Sequence, residues 1–293
     1  MLPLLKVIGV LLCILVAQAV LFPSLPMMSG SGSGSQLPYK LVTAHRGSSD
    51  TAPENTLIAF RQAIQAGAGY AELDVQETSD GVIVVMHDGN AKRTTGIDKP
   101  MWEVTYEELI QVSAGSWYGE HFADEKVPTL EQVIDLAKGN IKLNIELKNN
   151  GHQLQLAEKS VEIIQRNNFE NDCIFTSFDR NLLHTVKQTD PKLRTGLIVS
   201  KLDKASSWAM LLNHPDYDAL SIAYPLAQPE LLKQAVEYHK QVMVWTVNDP
   251  DTMRRMLDFG VNNIITDKPR LLARIIGERS REQVSMNTVG LAE

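Results

Sequence analysis

The sequence predicts an α/β barrel of the TIM type, with a small insertion subdomain and an N-terminal segment suited to a membrane. Three observations predict it. Short apolar runs alternate with longer amphipathic stretches, the pattern of repeated βα units around a parallel sheet. The chain has 293 residues, and setting aside its unlike N-terminus leaves a body of about 240, which suits one such barrel. Charged residues stand on strand candidates, and in a closed barrel only the C-terminal rim offers them water or partners.

The N-terminus comes first. From Val7 to Phe22 no residue is charged, and Lys6 precedes the run. One reading is a signal peptide, with Ala17-Gln18-Ala19 as its cleavage site. The other is an uncleaved anchor, since Leu2–Phe22 approaches the ~20 residues a bilayer core needs. A buried helix of the soluble domain fits poorly, because a Ser/Gly spacer, Ser29–Ser35, follows at once. The positive charge lies before the run, so the remainder of the chain is expected outside the cytoplasm, anchored or secreted. Residues 1–28 thus read as anchor or signal, 29–38 as a flexible linker, 39–275 as the barrel and 276–293 as a C-terminal tail after a short helix.

The strand candidates of the body are Lys40–Ala44, Tyr70–Gln76, Val82–Met86, Ile141–Leu147, Cys173–Ser177, Thr195–Val199, Ala219–Ile222, Gln241–Thr246 and Asn263–Thr266. Helices are expected over Thr56–Gly67, Thr129–Lys138, Leu154–Asn167, Asp179–Gln188, Gln228–His239 and Asp249–Phe259. Thr129 with Gln132 three residues on reads as a capping box. One strand pair differs from the rest. Gln76 and Val82 are joined through Asp80-Gly81, a turn signal with no room for a helix, so Val82–Met86 returns antiparallel. Eight parallel strands remain. Residues 89–128, with Trp102, Trp117 and Tyr118, are the insertion, a small subdomain or lid near the active face.

Net charge is −7 with both signs spread along the chain, and the absence of a basic stripe argues against nucleic acid as a partner. Cys13 and Cys173 are the two cysteines. A disulfide between them would join the membrane segment to the core, so no covalent staple is expected. The sequence carries no signal of oligomeric state.

The candidate chemistry lies on the strands. Residues two apart on a strand share a face, so Glu72 pairs with Asp74, and Asn144, Glu146 and Lys148 line up. Three carboxylates with a lysine inside a barrel point to one divalent cation, and oxygen-only ligands favour Mg²⁺ or Ca²⁺. A turn centred on Asp80-Gly81 sets Asp74 opposite His87 and brings His87-Asp88 to the acidic pair. His45-Arg46-Gly47 ends the first barrel strand, at the functional rim. This set fits phosphodiester cleavage. Lys148 and the metal neutralise phosphoryl oxygens, Arg46 grips the phosphate, and His45 and His87 exchange protons with the attacking hydroxyl and the leaving alkoxide. The other five histidines lie in helices or loops and carry no expected role.

At these residues the sequence resembles the glycerophosphodiester phosphodiesterase family. The matching runs are AHRG (Ala44–Gly47), APENT (Ala52–Thr56), AELDVQETSDGVIVVMHD (Ala71–Asp88), VPTLEQV (Val127–Val133), LNIELK (Leu143–Lys148), TSFD (Thr176–Asp179), VWTVND (Val244–Asp249) and ITDKP (Ile265–Pro269). They keep the family's order and span about residues 40–272. The resemblance implies a TIM barrel with an insertion, and hydrolysis of glycerophosphodiesters to glycerol 3-phosphate and an alcohol. It places catalysis at His45 and His87, metal ligands at Glu72, Asp74 and Glu146, and phosphate contacts at Arg46 and Lys148. Two further residues are candidates for the substrate. Glu54 stands to contact the metal or glycerol, with helix capping by Asn55 as the alternative reading of its run. Trp245 stands to cover glycerol or a choline head through cation–π contact, or to serve as barrel packing. A lysophospholipase D using the same site on lysophospholipids is the second enzymatic reading. A non-catalytic, membrane-tethered binding module is the third, and it would be expected to lack one of these groups.

Overall fold

The computed structural model describes residues 41–202 and 206–289. The expected anchor or signal segment, the Ser/Gly linker and Lys40 lie outside these residues. Among the described residues, no helix is long and apolar enough to cross a membrane.

The strands are β1 (Val42–Ala44), β2 (Tyr70–Glu77), β3 (Ile83–Val85), β4 (Lys142–Leu147), β5 (Cys173–Ser177), β6 (Thr195–Val199), β7 (Ala219–Ala223), β8 (Gln241–Trp245) and β9 (Asn263–Thr266). Eight are parallel and close on themselves in the order β1-β2-β4-β5-β6-β7-β8-β9, with β9 returning to β1. The ninth, β3, runs antiparallel along β2. Because β1 is short, it pairs only with the start of β2, through Thr43↔Tyr70 and Ala44↔Ala71. Beyond it, that side of β2 is taken by β3.

Strand alternation sorts the side chains. Val42, Ala44, Leu73, Val75, Leu143, Ile145, Phe175, Leu197, Leu220, Val244 and Ile264 belong to one buried cluster with the surrounding helices. Each fully buried large side chain contributes about 1.5–3 kcal/mol relative to exposure. Ile174, Ala219, Met243 and Ile265 form a second, smaller cluster inside the barrel, with Trp245 packed against it. Toward the C-terminal end the interior turns polar, with Glu72, Asp74, Asn144 and Thr176 all buried.

The helices around the barrel are α1 (Leu57–Gln65), α4 (Leu130–Ala137), α5 (Leu156–Arg166), α6 (Arg180–Thr189), α7 (Trp208–Leu212), α8 (Pro229–Glu237), α9 (Pro250–Phe259) and α10 (Pro269–Val289), with α2 (Lys92–Thr95) and α3 (Tyr106–Gln111) in the insertion. The capping box at Thr129 and Gln132 forms as its spacing predicts. Helix α7 has no counterpart in the sequence reading, because its five residues are too few to show a period.

Three expectations need correction. The hairpin register is displaced by one residue: Val75 pairs with Val85, and the Met86 amide donates to the Asp74 carbonyl, so Met86 and not His87 stands opposite Asp74. Thr78 and Val82 close a loop of three residues in which Gly81 takes φ +80, a type of hairpin one residue longer than the two-residue turn. The sequence places a short helix before a tail that begins at residue 276, yet α10 continues unbroken to Val289. Its first turns bury Leu272, Ile275 and Ile276, and further along Arg279 reaches Asp258 on α9 at 2.6 Å. The later residues lack an apolar stripe, so periodicity could not show the helix. Finally, Asn55 does not cap α1; the Thr56 hydroxyl does, accepting from the Ala59 amide.

The insertion holds α2 (Lys92–Thr95) and α3 (Tyr106–Gln111). It has a hydrophobic cluster of its own, in which Ala91, Met101, Val104, Leu109, Ala114 and Val127 pack on Val84 and Met86. The antiparallel strand β3 is therefore the bridge between barrel core and insertion core.

Candidate active site

At the end of β1 the chain turns sharply. Arg46 and Gly47 take φ +54 and +82. A Cβ on Gly47 would lie 2.6 Å from the Ala59 carbonyl carbon, so glycine alone lets α1 approach this closely. The left-handed turn aims the Arg46 amide at Glu72, which accepts it at 2.9 Å. Such backbone strain persists where the surroundings enforce it, as at functional sites.

Glu72 and Asp74 point into the barrel from β2, and Asp74 lies beside Glu146 in the β2–β4 register. Glu72, Asp74 and Glu146 each place an oxygen so that all three lie within 4.8 Å of one another. Lys148 reaches Glu146 at 2.8 Å and Asp74 at 3.4 Å. Asn55, at φ +59, donates its side-chain amide to Asp74 at 2.9 Å. Arg46 Nε is buried without a hydrogen-bond partner, 3.5 Å from Asp74.

The charges of this cluster do not balance comfortably. Burial and the neighbouring Asp74 carboxylate push Glu72 up to about 8. Burial and Asp74 raise Glu146 as well. Burial would also raise Asp74, but Lys148 and Arg46 pull it below its ordinary value. Buried carboxylates this close cannot all ionise unless positive charge sits among them. The donor set is all oxygen and converges on one point, which fits a hard divalent cation.

Two histidines border the cluster. His45 Nδ1 lies 2.6 Å from Asp267, and its Nε2 lies 3.9 Å from Glu72. Asp267 also accepts from Ser49 at 3.0 Å and Asn248 at 2.5 Å. Burial would raise the Asp267 carboxyl, but these donors, His45 foremost, hold it down at about 2. His87 Nδ1 lies 2.8 Å from Asp88. The His87 loop is held from below by Gln76, whose buried side-chain amide faces the carbonyls of Met86, His87 and Asp88 at 3.0, 3.3 and 2.8 Å. An ionised carboxylate only accepts, so Nδ1 carries the proton in both rings and Nε2 is the nitrogen left for chemistry.

His45, Arg46, Glu72, His87, Glu146 and Lys148 line one pocket. Asp74 stands behind them. The apolar side chains of Phe178, Ile198, Trp245 and Ile265 line the same pocket. Trp245 donates its indole N–H to the Ser221 carbonyl at 3.0 Å and meets Phe178 edge to face. The structure thus brings the sequence-derived residues together, with Glu54 outside this pocket's lining but joined to it through Arg46 at 2.8 Å. Both oxygens of Glu54 are taken by guanidinium groups, those of Arg46 and Arg93. It does not join the carboxylate cluster.

A profile of the glycerophosphoryl diester phosphodiesterase family matches residues 45–271. The chain belongs to that family. A glycerophosphodiester phosphodiesterase of Caldanaerobacter subterraneus subsp. tengcongensis is 37% identical over 239 residues, covering 80% of this chain and 97% of that protein. Among solved structures, an Oleispira antarctica phosphodiesterase in complex with the product sn-glycerol-3-phosphate is 31% identical with a TM-score of 0.76, covering 80% and 96% of the two chains. A glycerophosphodiester phosphodiesterase from Agrobacterium tumefaciens is 27% identical with a TM-score of 0.71, covering 80% and 98%. This member of the family is therefore an enzyme, a hydrolase of glycerophosphodiesters.

Four contributors escaped the sequence reading. Asp267 and Asp88 lie within its motifs without being read as anchors of the two histidines, although the first position past β9 is a rim position that flags Asp267. The sequence offers Asn55 only as a helix cap. Arg93, five residues past Asp88 in the insertion, gave no signal.

Proposed function

We propose that the enzyme cleaves glycerophosphodiesters to glycerol 3-phosphate and an alcohol in this pocket, with His45 and His87 as its acid–base pair. The observation that carries the reading is the meeting of three buried carboxylates with two carboxylate-anchored imidazoles at one barrel mouth. The product complex of the Oleispira antarctica relative supports the choice of substrate.

Glu72, Asp74 and Glu146 would hold the divalent cation, Mg²⁺ or Ca²⁺, which when bound offsets charge on the phosphoryl oxygens. Arg46 and Lys148 add cationic donors to the same oxygens. His87 acts as the base, taking a proton at Nε2 from the attacking hydroxyl, whether of water or of the glycerol itself. His45 acts as the acid, giving its Nε2 proton to the alkoxide as the P–O bond breaks. The surroundings favour this division. Burial lowers both rings, but for His45 the Asp267 hydrogen bond and Glu72 reverse the sign and raise it. For His87 the attraction of Asp74 and Asp88 does not overcome burial and Arg46, and it stays low. The opposite directions of the two rings support this division. Trp245 and Phe178 would cover the carbon skeleton. The apolar run Val7–Phe22 supports placing this activity at or beyond a membrane, outside the cytoplasm.

Phe178 is 50% exposed, which favours lysophospholipids as a second substrate, their acyl chain lying on this ring. The test is turnover of glycerophosphocholine and lysophosphatidylcholine by wild type, H45A and H87A, with chelator and with Mg²⁺ or Ca²⁺ restored. Loss of turnover in both variants and in chelator is expected. Full activity in either variant, or indifference to saturating chelator, would overturn the mechanism.

A further inference from the structure

From the insertion, Arg93 reaches two carboxylates that border the site. Arg93, on α2, presents two edges of its guanidinium to two carboxylates. Nε and Nη2 donate to Asp88 at 2.6 and 3.0 Å, and Nη1 and Nη2 donate to Glu54 at 2.9 and 2.8 Å. Each carboxylate then passes one of the same oxygens to a residue in the pocket. Glu54 Oε1 also accepts from Arg46 at 2.8 Å, and Asp88 Oδ1 also meets His87 Nδ1 at 2.8 Å. The sequence of charges is Arg46, Glu54, Arg93, Asp88, His87, alternating in sign when His87 is protonated. Trp117, also from the insertion, faces the guanidinium at 5.6 Å, and its indole N–H is fixed to the Ala114 carbonyl at 2.8 Å.

From this double fork we infer that Arg93 is a positioning residue for catalysis, through which docking of the insertion fixes Arg46 and His87 relative to each other. The inference rests on the roles proposed above for those two residues. Arg46 and His87 come from different loops, after β1 and after β3, and no hydrogen bond links them directly among the described contacts. A planar guanidinium with two bidentate partners sets distance and angle together, which an ammonium at the same place cannot do. Arg93 is 41% exposed at its side chain, so a structural role in the core is not its contribution.

The experiment is a kinetic cycle with glycerophosphocholine. R93M is expected to lower kcat/KM about 10–100-fold, chiefly in kcat, as misplacement of reacting groups does. R93K is expected to resemble R93M. In an E54Q/D88N background the same R93M change is expected to cost under about threefold, since the groups it acts through are already gone. R93G supplied with ethylguanidinium is expected to recover activity, and the neighbouring K92M, whose ammonium pairs only with Asp98 and which lies outside the site, is expected to match wild type. All variants are expected to melt with wild type. R93M at the wild-type rate, or with an undiminished penalty in the E54Q/D88N background, would overturn the inference. Activity surviving in H87A would instead overturn the reading of the site itself, so the two failures are distinct.

Discussion

Asp267→Asn tests the acid role of His45 with the least disturbance to shape. The native carboxylate accepts from His45 Nδ1 at 2.6 Å, from Ser49 at 3.0 Å and from Asn248 at 2.5 Å. An amide in its place has one oxygen and one NH₂. If the NH₂ faced Asn248, donor would meet donor, so the oxygen turns there and the NH₂ turns to His45. The ring must then accept at Nδ1 and carry its proton at Nε2, and the imidazolium loses its counter-charge. A hydrogen bond to a charged group contributes about 1.5–3 kcal/mol, which at ~1.4 kcal/mol per decade is about a 10- to 150-fold loss of kcat. The pH profile gives a second, signed readout. Burial lowers the His45 pKa, while the Asp267 bond and Glu72 raise it beyond its ordinary value. A group that acts protonated works below its pKa, so removing Asp267 moves the alkaline limb of kcat/KM to lower pH. The assay is release of glycerol 3-phosphate from glycerophosphocholine across the pH range, at saturating divalent cation. An unmoved alkaline limb together with a rate loss under about threefold would refute the argument.

Three further outcomes are expected. Asn55→Gly keeps the left-handed backbone but frees Asp74, so the cation concentration for half-maximal activity should rise about 10–100-fold; Asn55→Ala should do the same and also lower the melting temperature, because alanine at φ +59 costs about 1–2 kcal/mol. Glu77 accepts from Lys159 and from the Leu154 and Gln155 amides at 2.7, 2.8 and 2.8 Å, and Glu77→Gln should cost about 1–3 kcal/mol in urea denaturation at neutral pH. Burial acts to raise the Glu77 pKa, but these donors hold it below its ordinary value; its stabilisation is therefore complete above the unfolded pKa and fades as pH falls through the folded one, and the gap to E77Q should close in acid. Gly47→Ala forces a Cβ to 2.6 Å from the Ala59 backbone and should cost about 1–3 kcal/mol, read as an earlier thermal melt.

Much of this was written in the strand pattern. Glu72, Asp74, Asn144, Glu146 and Lys148 obey the period of two, so their common face follows from spacing alone. His45 sits where a barrel strand ends, and rim position is a reliable guide to function. What escaped depends on contacts distant in sequence. The Asp267 bond to His45 joins residues 222 apart, and no local rule couples them. The one-residue slip of the hairpin came from Gly81 taking the third place of a three-residue loop, a choice that Asp80-Gly81 does not announce. The motif around Glu54 offers it as a contact for metal or glycerol, and in the fold Arg46 and Arg93 occupy both its oxygens. The sequence does not announce the helical end of α10, because polar residues without a stripe give helix and tail the same appearance.

Closure of the barrel has a consequence for biosynthesis. β1 emerges first from the ribosome, but one of its edges waits for β9, and the ring of His45 waits for Asp267. Joining ends 222 residues apart costs roughly 5 kcal/mol in chain entropy before any contact repays it. Intervening strands can each dock on a predecessor; the seam cannot. A nascent or clipped polypeptide ending before Asn263 would carry the three carboxylates and both imidazoles and still leave His45 without Asp267. The anchor of that histidine therefore forms only when the final strand docks, so the pocket is complete only in the finished barrel.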